Sequence, residues 1–98
     1  MAPTGTLVTK DPDATAWTKG IDWTDYCAER STTIASSTWV IAPSGLTNAD
    51  DRIVASDLKT EIDLSGGTVG TTYTVTNRCT FATGGVDDRS FYVLVEER

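Results

Sequence analysis

The feature that most restricts the fold of this chain runs from Gly70 to Val95, GTTYTVTNRCTFATGGVDDRSFYVLV. Bulky and small side chains alternate along it. In an extended chain Tyr73, Val75, Asn77, Cys79 and Phe81 share one face, while Thr72, Thr74, Thr76, Arg78 and Thr80 share the other. A second run sets Phe91, Val93 and Val95 against Ser90, Tyr92, Leu94 and Glu96. A period of two, rich in β-branched residues, fits a pleated strand and not a helix. Residues 83–88 between the runs, TGGVDD, read as a hairpin connection whose glycines can adopt positive φ.

The remainder breaks into similar short pieces. Residues 1–16 are polar and interrupted by Pro3, Gly5 and Pro12, so they read as an extended arm with a short edge strand at 6–9. Residues 18–23 read as the first full strand. Residues 24–30 follow as one helical turn, with the Thr24 hydroxyl as its cap. A β-branched stretch at 33–41 ends at Ala42-Pro43-Ser44-Gly45, a turn composition. Asn48-Ala49-Asp50-Asp51 reads as a loop, and 52–55 and 59–64 as strands joined around Ser56-Asp57. Seven or so short strands predict an all-β fold, a small antiparallel β-sandwich of immunoglobulin-like type over residues 17–98, with Trp23 and Trp39 as core anchors.

Cys27, Trp39 and Cys79 follow the cysteine–tryptophan–cysteine order of immunoglobulin domains. The tyrosine expected two residues before the second cysteine is replaced by Asn77, and Cys27 falls in the helical turn. Two buried free thiols are therefore the expectation, with a disulfide as the alternative.

At 98 residues the chain has room for one domain with one core. Fourteen acidic against eight basic residues leave a net charge of −6, opposite to what tracking phosphates or an anionic membrane requires. Neither nucleic acid nor membrane is an expected partner. No apolar run nears the ~18 residues that cross a bilayer, and the start lacks the apolar core of a signal peptide. Synthesis in the cytoplasm is the expectation. The absence of histidine removes the usual general base and the commonest transition-metal ligand.

Chemistry-bearing groupings are few. Asp11-Pro12-Asp13 and Asp87-Asp88 pair carboxylates in segments read as loops, without a calcium-loop pattern, and read as solvated turns. Asp88 beside Arg89 can tie the hairpin to a neighbour through a charged hydrogen bond. Residues 64–70, LSGGTVG, precede a strand and lack both phosphate-loop endings, so they read as a closely packed connection. No serine or threonine has a histidine base or an evident lysine partner. No catalytic residue, cofactor or metal site is expected. Trp17 and Tyr26 flank residues 21–23 and read either as interface anchors or as core.

Taken in order, several pieces resemble a family of small virion proteins of tailed bacteriophages, the fiber–tail adaptor-like proteins. They are Lys10-Asp11-Pro12-Asp13, Asp22-Trp23, Thr33-Ile34 and Ser36-Ser37-Thr38-Trp39. Leu64-Ser65-Gly66-Gly67-Thr68, residues 70–77 and Asp88-Arg89-Ser90 complete the set. Glu29-Arg30 stands where the pattern has a Gly-Asp turn. The resemblance implies a non-enzymatic structural component of the virion, made in the host cytoplasm. Its expected partners are other virion structural proteins and symmetry-related copies of itself, met through residues 1–26 and the sheet edges. The interface residues expected are Lys10, Asp11, Asp13, Trp17, Asp22, Tyr26, Asp88 and Arg89. A capsid cement or decoration protein is the nearest alternative. A carbohydrate- or receptor-binding sandwich, with Trp17 or Tyr26 stacked on a sugar, is the alternative from another class.

Overall fold

A computed structural model describes residues 6–15 and 17–97. Seven strands and one helix follow in order: β1 Thr6–Lys10, β2 Trp17–Asp22, α1 Thr24–Arg30, β3 Ile34–Ala42, β4 Leu46–Val54, β5 Lys59–Gly66, β6 Thr72–Phe81 and β7 Val86–Val95. They build two packed sheets, with strand orders β1-β7-β6-β3 and β2-β5-β4. The expected β-sandwich is what forms. One ladder departs from the antiparallel expectation, because β1 runs parallel to β7. Residues 6–10 of the expected arm are thus the edge strand β1, whereas residues 1–5 and 16 lie outside the described residues.

The alternation quoted above positions the core. Tyr73, Val75, Phe91, Val93 and Val95 are buried against Ile62 and Leu64 of the second sheet, whereas Cys79 and Phe81 are buried in a second cluster around Trp23. Full burial of each such aliphatic or aromatic side chain contributes roughly 1.5–3 kcal/mol. Trp23 is completely buried beside Cys27, Ile34 and Phe81. Trp39 is only half-buried, packing edge-on against Phe91 with ring centroids 6.3 Å apart. Cys27 and Cys79 are free thiols, both buried.

Asn77 is the polar residue on the apolar face, and it is fully used. Its Oδ1 accepts from Trp23 Nε1 at 3.0 Å, Thr60 Oγ1 at 2.7 Å and Cys79 Sγ at 3.2 Å. Its Nδ2 donates to Ser37 Oγ at 2.7 Å and to the Thr38 carbonyl at 3.0 Å. One amide therefore ties both sheets and the segment before α1. A buried amide with every site satisfied favours a unique packing.

Three local expectations need correction. Residues 48–51 are not a loop but part of β4, which shifts register against β5 between Asn48 and Asp50. An edge strand is wet along one side, so it tolerates a polar run that resembles a loop. The second hairpin is tighter than expected: Phe81 N donates to Gly85 O at 2.8 Å, and β7 already begins at Val86. Asp87 and Asp88 are therefore strand residues. Thr24 is the first helical residue rather than the cap, and Asp22 Oδ1 accepts its backbone N–H at 2.9 Å. The helical turn expected at 24–30 does form, as α1 through Arg30 where the family pattern has a Gly-Asp turn, and Ser31 turns the chain at φ 52°.

Of residues 64–70, read as a connection, 64–66 complete β5, and the close packing falls on the link that begins at Gly67. At Gly67, φ is +103° and an added Cβ would stand 2.6 Å from Val95 Cγ2. Only glycine satisfies both demands.

Candidate functional site

The residues expected to meet partners fall into three places. At one end of the sandwich, Lys10 closes β1 and is completely buried. Its Nζ donates to the carbonyls of Asp11 at 2.9 Å, Ala14 at 2.7 Å and Gly66 at 2.8 Å. Burial pulls this ammonium below its ordinary pKa, against the raising influence of Asp11 and Asp13. Lys10 thus fastens the end of β1 to the end of β5 and offers nothing to the surface. Asp11 Oδ1 accepts the Asp13 backbone N–H at 2.8 Å, a local turn that leaves Asp13 exposed. Trp17 begins β2 nearby, half-buried, with Lys19 Nζ 4.7 Å from its ring centroid.

The second place gathers Asp22, Tyr26 and Arg89 around Trp23. The Arg89 guanidinium lies 4.4 Å from the Trp23 ring and donates to the Asp22 carbonyl at 2.9 Å. Tyr26 stacks on Phe81 at 4.6 Å and carries the Arg30 guanidinium 3.9 Å from its ring centroid. A ring with an aromatic neighbour and a guanidinium already against it has little free surface for a sugar. The Asp22 carboxylate is exposed. Hydrogen bonding to Thr24 holds its pKa below the usual range, and Lys59 adds attraction at 3.9 Å.

Asp88 stands apart, on the outer face of β7. Arg78 holds it with two bonds, Nε to Oδ1 at 2.8 Å and Nη2 to Oδ2 at 2.9 Å, which lowers its pKa. Its sequence neighbour Arg89 points to the other face, so the pair is not one unit.

The sequence reading missed a cleft of about 250 Å³ between the two sheets, where the β1–β7 edge overhangs β2. Val8, Ile21 and Phe91 supply its apolar surface, with Lys19, Asp22 and Arg89 around them. Among the described residues, Lys19 and Arg89 are the two exposed or half-exposed cations without a salt bridge. The only available signal was the alternation of Trp17, Lys19 and Ile21 on one face of β2. No cluster of three metal-ligating side chains occurs among the described residues.

Fold and surface define a class: a small two-sheet β domain whose buried polar groups lock strands together and whose outward features, among the described residues, are strand edges and charged side chains. A protein-family model described as podophage GP4 fiber-tail adaptor protein gp77 matches residues 10–94. The chain belongs to this family of phage fiber-tail adaptors, structural proteins of the virion whose neighbours are virion proteins such as tail and fiber. No curated protein matches the chain.

Proposed function

We propose that this protein joins tail and fiber components by protein–protein contacts alone, without catalysing a reaction, in several symmetry-related copies. The family match over residues 10–94 carries this reading. The geometry supports it: strong polar interactions are spent within the chain itself, buried at Lys10 and Asn77 and across the outer sheet face at the Arg52–Asp63 pair. What remains outward is strand edges and charged rims, the parts of a small β domain suited to docking. A net charge of −6 argues against direct contact with packaged nucleic acid or a membrane surface. Synthesis takes place in the host cytoplasm, followed by incorporation into the particle.

Phage lacking this chain tests the reading. The expected result is particles that package DNA but lose their fibers, with full recovery on complementation. Labelled protein should map to the tail region in averaged particle images. Label spread over the whole head, or fibered particles without the protein, would overturn the proposal.

A further inference from the structure

We infer that copies of this chain associate side by side, the β3–β4 rim of one docking against the β1–β2 cleft of the next. This rests on the proposed assembly from several copies and identifies the surfaces that would perform it.

The argument begins with one row of the three-stranded sheet. Register places Lys19 of β2 opposite Ile62 of β5, and Asp51 of β4 opposite the same Ile62. Ile62 is completely buried, so this row faces the interior. Yet its two ends carry a half-buried ammonium and an exposed carboxylate, one on each edge strand. Neither forms a salt bridge among the described residues. Asp51 accepts from Asn48 Nδ2 at 2.9 Å, and Lys19 rests on Trp17.

Inward-facing charges on edge strands guard against indiscriminate pairing. Here the guards have opposite signs in one row, which selects a pairing. A β2–β2 contact sets Lys19 against Lys19, and β4–β4 sets Asp51 against Asp51. Only β4 beside β2 joins opposite charges. Discrimination by repulsion of the wrong partner is a general route to specificity.

The four-stranded sheet has the same asymmetry. On the cleft side β1 is five residues long, and Val8 and Phe91 line the opening with Arg89. On the other side β3 has nine residues, IASSTWVIA, without one charge, and Val40 is 62% exposed. β3 packs near β4, so this uncharged edge and the strand that carries Asp51 share one rim, as β1 and β7 share the other with Lys19. Each rim thus has an apolar part and a charged part, and the row through Ile62 ends in Lys19 at one rim and Asp51 at the other, with Arg89 and Asp22 also around the cleft. A head-to-tail contact of this kind closes into a ring or continues as a filament; it does not stop at two copies.

Sedimentation velocity on the purified full chain tests the inference, with Lys19→Glu and Asp51→Lys as variants whose folding is checked by circular dichroism. The wild type is expected to form species that grow beyond dimers with concentration and dissociate as salt rises. Each single reversal should weaken association by about tenfold or more, since like charges then meet. An equimolar mixture of the two variants should recover it, because each supplies the rim the other lacks. A wild type that stays monomeric, stops at dimers, or ignores both reversals would overturn the inference. So would a mixture that fails to recover. Recovery of the chain from purified virions is scored separately: a monomer in solution that is nevertheless a virion component sinks the rim contact and leaves the adaptor reading standing.

Discussion

Lys10 shows how much a single side chain can decide. Its ammonium is fully enclosed, and three carbonyls from two distant segments close around it. Lys10→Met keeps the bulk and removes the donors, leaving those carbonyls unpaired. We expect a loss of about 2–3 kcal/mol in urea unfolding, typical of a charged hydrogen-bond donor removed from the interior. The two thiols make a complementary case. Burial raises the pKa of both, that of Cys79 to about 12, so neither presents a reactive thiolate near neutral pH. A maleimide or disulfide reagent should leave the native chain unmodified and add two groups once it is unfolded in denaturant, as read by mass spectrometry.

At the scale of the elements, charged bridges bind strand to strand. Across the outer face of the three-stranded sheet, Arg52 of β4 donates to Asp63 of β5 through both terminal nitrogens, at 3.1 and 3.0 Å. Thr18 of β2 adds a bond to Asp63 Oδ1 at 2.6 Å, so one carboxylate links all three strands. Asp88 and Arg78 do the same between β7 and β6. Asp63 and Asp88 are both held below the ordinary carboxylate pKa, chiefly by these arginines. The unfolded chain binds protons at these sites first as pH drops. Their stabilisation is complete above the unfolded value of about 3.9 and disappears as pH falls through the lower folded values. The melting temperature should therefore hold from pH 7 to about 5 and decline below about 4. The double variant Asp63→Asn/Asp88→Asn should flatten that acid decline. An unchanged profile would show that other carboxylates control it.

For the whole molecule, the first strand is part of the body rather than an appendage. Deleting residues 1–16 looks harmless from sequence, since the segment is polar and broken by prolines. The fold argues otherwise. The deletion removes β1, strips β7 of its parallel partner and takes away the Lys10 ammonium. We expect a truncated chain with a melting temperature lowered by 10 °C or more, on the order of the loss from several kcal/mol in a domain of this size. Differential scanning calorimetry of the truncated and full chains checks this, and a stable 17–98 fragment would restore the view of residues 1–16 as a detachable arm.

Much of this protein was legible without coordinates. Alternation at 72–81 and 90–96 specified which side chains are buried, because the pleat sends successive residues to opposite faces whatever the surroundings. Glycine and proline marked the breaks for similarly local reasons, and the ordered motifs pointed to the family. Other features depended on contacts between segments far apart in the chain. A lysine next to Asp11 gives no local sign of the Gly66 carbonyl that captures it. Residues 48–51 looked like a loop because the strand partner that orders them lies beyond the next turn. Nor did any local pattern place Lys19 and Asp51 in one row, since their alignment passes through Ile62 on the strand between them. Side-chain direction along a strand is decided by neighbours in sequence; which edges, charges and carbonyls meet is decided by sheet order and register, and those exist only once the two sheets have packed.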